Sequence, residues 1–291
     1  MSGIQQPQET TQFWRHPRFR DLGMLKARFT RHRYQLHTHP TYVVALITQG
    51  CERVRIGNET VLAPSGTVLL VDPEIWHDGE AGADQGWAYR TFYPSASLMG
   101  AIADELGQDR PPLFSQAIVD DADLVQAVGV AHLASTSNDA TSAETSMLIA
   151  LRKLILRHGD WGGRRREAVE SFGSKSRLRV YEQVIEDHLN SDLDLQRLAE
   201  AAGVTRFQVI RDFRKVLGLT PAAFIRDRRL RRADLLIRQG SDLAGAAFAA
   251  GFSDQSHLSR TFRAAHGMTP GCSGAPGRCP RLEKSSHVGG L

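Results

Sequence analysis

Residues 194–270 are written twice. Asp194-Leu195, Ala199 and Ala201-Ala202-Gly203 return forty-eight positions later as Asp242-Leu243, Ala247 and Ala249-Ala250-Gly251. After one extra residue the register is forty-nine, and Arg211, Phe213, Gly218 and Thr220-Pro221 reappear as Arg260, Phe262, Gly267 and Thr269-Pro270. Ordered coincidence with a single slip is an internal duplication, which restricts this region to two copies of one supersecondary unit.

Each copy reads as a helix, a tight turn at Ala-Gly and a second helix. Asp194 is a good N-cap; Leu195, Leu198 and Ala199 make an apolar stripe, and Gly203 supplies the left-handed conformation that a helix C-terminus needs. Thr205 with Gln208 three residues on has the spacing of a capping box and opens a helix over about 206–217. That helix is expected to bury Val209, Phe213 and Val216 or Leu217, leaving Arg206, Phe207, Ile210, Arg211 and Arg214 elsewhere. The second copy buries Leu258 and Phe262 and presents Gln255, Ser256, His257 and Arg260. Two short helices across a Gly turn, the second rich in Arg and Gln, form a helix-turn-helix suited to major-groove edges.

Between the copies, Thr220 caps a longer helix, Pro221 occupies its first turn, and Gly240 stops it. Ile225, Leu230, Ala233, Leu236 and Ile237 are expected to pack inward, with Arg226, Arg228, Arg231 and Arg232 largely outside. Successive major-groove faces on one side of B-DNA lie ~34 Å apart, a separation that such a helix could bridge.

The stretch AAGFSDQSHLSRTFRAAHGMTP resembles the second motif of AraC/XylS-type transcription regulators, and the likeness extends over about 178–270. The resemblance implies two recognition helices in neighbouring major grooves of double-stranded DNA. It makes Arg206, Phe207, Ile210 and Arg211 the base-facing residues of copy one, and Gln255, Ser256, His257 and Arg260 those of copy two. Phe213 and Phe262 fall on positions that are core in that family.

Charge is placed accordingly. The 291-residue chain carries a net charge of only +4, but residues 175–270 hold sixteen Lys/Arg against eleven Asp/Glu, whereas 1–174 hold seventeen against twenty. The basic surplus lies where the duplication lies, as phosphate contact requires. No apolar run reaches the ~20 residues that span a bilayer, and the start MSGIQQPQETTQ is polar, so a cytoplasmic location is expected. Cys51, Cys272 and Cys279 show neither a metal-site spacing nor a disulfide framework.

The front half follows a different period. Short β-branched and aromatic runs at 24–30, 33–37, 41–48, 51–57, 60–63, 67–71 and 87–93 predict strands, with turns at Gln49-Gly50, Gly57-Asn58, Pro64-Ser65-Gly66 and Asp72-Pro73. This density of strands and turns predicts a β sandwich or barrel. His37-Thr38-His39 ahead of Gly50, then Pro64-x-Gly66 ahead of Pro73 and His77, resembles the paired motifs of a cupin jelly roll, and more narrowly the sensor domain of AraC-type regulators. His37, His39 and His77 could form a three-imidazole set, but Tyr42, Val43 and Val44 stand where cupins place a carboxylate, so no metal or other cofactor is expected.

A jelly roll offers a mouth for a small-molecule effector. Candidate lining residues are Arg33, His37, His39, Tyr42, Trp76, His77, Trp87, Tyr89 and Arg90. Alternation sets Trp87, Tyr89, Thr91 and Tyr93 on one strand face and Arg90 and Phe92 on the other, and only one set faces inward. Arg33 or Arg90 inside would favour an anionic effector.

After Pro111-Pro112 helical spacing appears. Leu124, Val125, Val128 and Leu133 mark one helix behind Asp120, Asp121 and Asp123, and Met147, Leu148, Leu151, Leu154 and Ile155 mark another over 143–157. In the resembling regulators a helix pair at this place makes a dimer contact. GDWGGRRREAVESFGSKS then reads as a linker, in which Arg164-Arg165-Arg166 are expected to be solvated, before an amphipathic helix around Val180, Tyr181, Val184, Ile185 and Leu189. The end, GCSGAPGRCPRLEKSSHVGGL, departs from the family pattern and has the composition of a disordered tail.

The expected organisation is α+β in two domains: an N-terminal arm at 1–20, a cupin-like sensor with dimerisation helices at 21–157, a linker at 158–176, a double helix-turn-helix at 177–270 and a tail at 271–291. The expected function is transcription regulation, as an activator, by a homodimer that meets RNA polymerase, with no enzymatic activity. A metal-dependent cupin enzyme fused to a DNA-binding domain, or a regulator whose barrel only dimerises, are the competing readings.

Overall fold

The structure, a computed structural model, describes residues 9–137, 139–161, 172–191, 193–274 and 282–283. The chain divides into two compact units, one built mainly from residues ahead of 163 and the other mainly from residues after 164.

The first unit runs β1 (Thr10–Arg15), β2 (Gly23–Phe29), β3 (Tyr34–His37), β4 (Val43–Ile56), β5 (Glu59–Pro64), β6 (Val68–Val71), β7 (His77–Ala81) and β8 (Trp87–Tyr93). Then follow α1 (Ala96–Glu105), β9 (Ile118–Val119), α2 (Ala122–Ala134) and α3 (Ala140–His158). One layer takes the order β1-β2-β8-β4-β6-β9, and in the other β5 and β7 flank β4 while β3 pairs with β7.

The two layers share β4. Its first half pairs with β6 and β8, and Cys51–Ile56 pair with β5 and β7. Two expected strands, 41–48 and 51–57, are thus one, and the turn expected at Gln49-Gly50 is a bend within it. The register slips between Ile47 and Gln49, and Gly50 sits at φ 67° with its Cα so close to β8 that a Cβ would fall 1.9 Å from the Gly86 carbonyl. Only glycine meets both demands. β7 escapes the sequence pattern because His-Asp-Gly-Glu-Ala has no apolar alternation; backbone pairing to β3 and β4 makes it a strand.

Residues 10–15, within the expected N-terminal arm, do not stand apart from the sheet. They pair with β2 from Thr10↔Arg28 to Arg15↔Gly23 and bury Phe13 and Trp14. Nor is the tail wholly without structure: β10 (Leu282–Glu283) pairs with Thr10 and Thr11, covering a sheet edge whose N–H and C=O groups would otherwise lack partners. Tail residues 275–281 and 284–291, residues 1–8 and Arg164-Arg165-Arg166 lie outside the described residues.

Two faces of the first layer are buried. Met24, Val44, Leu46, Val68, Leu70 and Phe92 meet Leu124, Val128, Met147, Leu151 and Leu154 from α2 and α3 in one apolar cluster. Buried polar groups in this packing are satisfied: Trp14 Nε1–H donates to Ser135 Oγ at 3.1 Å and His132 Nε2–H to the Leu25 carbonyl at 3.0 Å. Burial pushes the His132 imidazole down to about 3, so it stays neutral. Leu133 and Leu148, expected on the packed stripes, are exposed instead, together with Val130, Ile149 and Leu156.

The second unit holds α4 (Phe172–Asp187), α5 (Leu195–Ala201), α6 (Arg206–Leu217), α7 (Pro221–Arg238), α8 (Leu243–Ala249), α9 (Gln255–His266) and α10 (Pro270–Gly274). α4 therefore begins inside the expected linker, and α10 continues past the expected end of the second motif. Side-chain caps open every helix of the duplication: Asp194, Thr205, Thr220, Asp242 and Asp254 each accept a backbone N–H three residues on. Gly218 and Gly267 close α6 and α9 in the left-handed conformation, at φ 70° and 68°.

Several inward positions differ from expectation. On α7 the buried residues are Pro221, Phe224, Asp227, Leu230, Ala233 and Ile237, so Phe224 takes the place foreseen for Ile225. On α6, Val209 and Phe213 are buried as expected, Val216 and Leu217 only partly, and the third buried residue is Asp212. Cys272 is buried and disulfide-bonded, against the expectation from cysteine spacing, while Cys51 is a free thiol.

Candidate nucleic-acid interface and sensor interior

The capped start of α6 projects Arg206, Phe207 and Arg211 into solvent, with Ile210 half-buried beside them. Phe207 is 76% exposed, a large apolar ring presented to solvent. The equivalent surface of α9 presents Gln255, Ser256, His257 and Arg260, all exposed. All eight residues expected to face bases thus line the outer faces of the second helix in each motif.

Behind the α6 face lies a buried polar anchor that the sequence reading missed. Asp212, 1% exposed, accepts from Arg177 Nε at 2.7 Å and Nη2 at 2.9 Å, and from the Tyr181 hydroxyl at 3.0 Å. Gln208 Nε2 donates to Asp212 Oδ1 at 2.8 Å, and Gln208 Oε1 accepts from Arg211 Nη2 at 2.8 Å. Burial alone would raise the Asp212 carboxyl, but hydrogen bonds led by Arg177 outweigh it and bring it down to about 2, so it is ionised. A continuous chain of bonds therefore orients the Arg211 guanidinium from the core outward. The capping box is consequently half-formed: Thr205 Oγ1 accepts from Gln208 N, but the Gln208 side chain turns to Asp212. An Asp between core positions 209 and 213, and an Arg and Tyr four apart on α4, were the available signals.

α9 has a smaller, exposed arrangement. Asp254 Oδ1 accepts from His257 N at 2.7 Å, and Ser253 Oγ lies 3.0 Å from Asp254 Oδ2 and 3.1 Å from His257 Nδ1. The His257 ring stands edge-on to Phe252 at 5.2 Å. These contacts fix the imidazole on the outer face.

In the first unit, alternation is resolved. Phe92 joins the helix-side cluster, so Trp87, Tyr89 and Thr91 point between the two layers, all of them buried. The Tyr89 and Tyr34 hydroxyls hydrogen-bond, and Phe29 packs on Trp87 and Tyr34 at ring distances of 5.4 and 5.7 Å. Glu52 from β4 enters the same interior, 6% exposed, with its Oε1 in the space that a side chain on Gly79 would fill. Burial raises this carboxyl to about 8, and it raises the Tyr34, Tyr89 and Tyr93 phenols as well. Sequence reasoning placed Tyr93 on the Trp87–Tyr89 strand face but passed over Tyr34, and it missed Glu52 because it looked for a carboxylate only next to the histidine pair.

Other expected effector residues lie elsewhere. The Arg33 side chain is 80% exposed and pairs with Glu80 at 3.2 Å. Arg90 lies on the Phe92 side of β8, half-buried. Tyr42 is core, its hydroxyl donating to the Pro112 carbonyl at 2.7 Å. Trp76 is half-buried just ahead of β7. With both arginines outside, the case for an anionic effector falls. His37, His39 and His77 come together, one ring nitrogen from each lying within 4.8 Å of the others. His37 Nδ1–H donates to the Gln35 carbonyl at 2.7 Å and His77 Nδ1–H to the Ile75 carbonyl at 2.8 Å, which leaves Nε2 of each as the basic nitrogen. Such a trio could hold a divalent transition-metal ion.

Comparison with known proteins agrees with this layout. The family model described as AraC-like ligand binding domain matches residues 22–152, and one described as a helix-turn-helix domain matches residues 198–272. The uncharacterised helix-turn-helix-type transcriptional regulator YbfI of Bacillus subtilis is 27% identical over 225 residues, covering 76% of this chain and 80% of its own length. The transcriptional activator NphR of Rhodococcus is 26% identical over 247 residues, covering 79% and 68%. Among solved structures, apo ToxT of Vibrio cholerae aligns with a TM-score of 0.51 at 11% identity, covering 86% of this chain and 94% of that one, a likeness of fold. Among the described residues no helix is long and apolar enough to cross a membrane.

Proposed function

Since the chain belongs to the AraC/XylS-type transcription regulators, with a ligand-binding sandwich ahead of two helix-turn-helix motifs, we propose that it activates transcription as a cytoplasmic homodimer, α6 and α9 reading successive major grooves of a promoter. The observation that carries this reading is the pair of capped, solvent-facing recognition surfaces, each ending in an arginine at the same repeat position, Arg211 and Arg260.

The two arginines contact base edges or phosphate. Gln255 hydrogen-bonds a base edge, and Phe207 and Ile210 supply apolar contact of the kind a thymine methyl accepts. The exposed apolar side chains of α2 and α3 (Val130, Leu133, Ile149 and Leu156) supply the dimer contact. An effector between the sheets changes promoter occupancy and contact with RNA polymerase. The protein acts by binding; the sandwich is a sensor and not a catalytic centre.

Arg260→Ala tests the reader assignment. A good bidentate arginine–base pair is worth ~1–3 kcal/mol of discrimination. Fluorescence anisotropy against the cognate promoter and a scrambled duplex should therefore show a fall in affinity confined largely to the cognate site. Equal losses on both duplexes would reassign Arg260 to the phosphate backbone.

A further inference from the structure

The interior of the sandwich is not neutral in its preferences. We propose that the effector is an organic cation, an amine or ammonium compound that also carries an oxygen acceptor, with its positive centre against the Glu52 carboxylate among the rings of Tyr34, Tyr89, Tyr93 and Trp87. This rests on the reading of the first unit as a ligand-binding domain and adds the chemical class of the ligand.

Three observations support it. Glu52 is buried, yet among the described residues its carboxylate has neither a hydrogen bond nor an ion pair, and its displacement from water is the sole cause of its raised pKa. A buried acid without a partner is costly unless something supplies one. The surroundings are aromatic, and ring faces attract cations. Trp87 Nε1–H and Thr91 Oγ1 are also buried without a partner, so a donor and a hydroxyl await a ligand oxygen.

Among the described residues no lysine or arginine pairs with Glu52. On β4 itself Arg53 pairs with Glu80 at 2.8 Å and Arg55 with Asp78 at 3.0 Å. The opposing β5 residue, Ala63, and the opposing β7 residue, Ala81, do not titrate. The titratable neighbours are the three phenols, the Cys51 thiol beside Glu52 on the strand, His77 on β7, whose pKa burial lowers, His32, which stands edge-on to Tyr34 at 4.6 Å, and His39, 5.4 Å from the Tyr93 ring; Glu9 acts on Tyr34. A cation entering this site would ionise Glu52, and the proton displaced would go to buffer.

The full chain is titrated calorimetrically with choline, tyramine, the isosteric anion 4-hydroxyphenylacetate and the neutral 4-hydroxyphenethyl alcohol. The expected result is that a cation binds and raises the melting temperature while the anion does neither. Choline keeps its charge at every pH, so where it binds its affinity should rise about tenfold per pH unit below 8 and level off above. Glu52→Gln should weaken cation binding at least tenfold at pH 8 and leave the neutral compound unaffected. Should Glu52→Gln fail to fold, the pH profile of the wild-type chain and proton release at pH 7, read from two buffers of different ionisation enthalpy, decide the matter. Binding of the anion as tight as that of the cation, or cation binding indifferent to pH and to Glu52→Gln, overturns the proposal while leaving the domain a ligand sensor. Binding of none of the four, with no thermal shift, overturns both.

Discussion

The two helix-turn-helix copies share a backbone and differ in what secures it. Both start their recognition helices with a side-chain cap and end them with a left-handed glycine, and Phe213 and Phe262 fill the same core position. One residue earlier the copies diverge. Asp212 is buried and ionised in a net with Arg177, Tyr181 and Gln208, whereas its counterpart Thr261 is half-buried. The second copy is assembled almost entirely from apolar side chains: Leu258, Phe262 and Ala265 against Ala246, Ala247, Ala250, Phe252, Leu230, Ala233 and Ile237. Duplication has thus preserved what the turns and caps require and left the attachment of each reading helix free to change.

The largest expected effects fall on the shared position. Phe213→Ala and Phe262→Ala each delete a fully buried ring, for which ~3–5 kcal/mol of destabilisation is usual. Urea unfolding of the two variants should give similar losses. A loss in one copy less than half that in the other would mean that one core relaxes into its cavity, and the shared backbone would then be hiding unequal packing.

The divergent position should give unequal effects. Asp212→Ala leaves Arg177 and Tyr181 facing a vacated acceptor site. Arg177 is partly open to water, so a loss of ~2–4 kcal/mol is expected, toward the low side of broken buried pairs. Thr261→Ala should cost about 0.5 kcal/mol or less. The sign of the pH effect follows from the depressed carboxyl. The Asp212 contribution is fully present above the unfolded value of about 4 and is lost as pH falls toward 2. Wild-type stability should fall through that window more steeply than that of Asp212→Asn. Because Asp212 also reaches Arg211 through Gln208, Asp212→Asn should weaken promoter binding at neutral pH beyond any change seen with Thr261→Ala.

This contrast also marks how far the sequence was legible. The 3.6-residue stripes, the caps at Asp194, Thr205 and Thr220 and the repeat itself lie within a few residues of one another, and local physics decides them; most of the strands announce themselves in the same way. Asp212 and Arg177 are thirty-five residues apart, and only packing brings them together. Glu52 reads locally as one polar residue in a strand with Arg53 and Arg55, and its isolation appears only when β7 brings Gly79 against its carboxylate. β7, the bend at Gly50 and the pairing of Leu282–Glu283 were hidden for the same reason, since each depends on a distant strand. The eight residues expected to face bases could be placed on one outer helix face in each motif because a helix surface is set by spacing alone. Which residues line the sandwich interior could not be read in the same way, because a strand face can point either way until the helices have covered one side.

The smallest expected effect tests the caps. Thr205→Ala removes one accepted N–H at the start of α6 and should cost ~1 kcal/mol, measured by urea unfolding. The α9 cap has a second duty, since Asp254 lies within hydrogen-bond distance of Ser253, whose hydroxyl also meets His257, and the backbone of His257 holds its carboxyl below the usual range. Asp254→Ala should therefore loosen an exposed imidazole as well as a helix end. Its effect on cognate DNA affinity should exceed that of Thr205→Ala, and Asp254→Ser, which restores a cap without a carboxylate, should recover stability more fully than affinity. If Asp254→Ser recovers both equally, the cap serves only the helix, and the two copies differ in their buried anchor and not in how they present their reading residues.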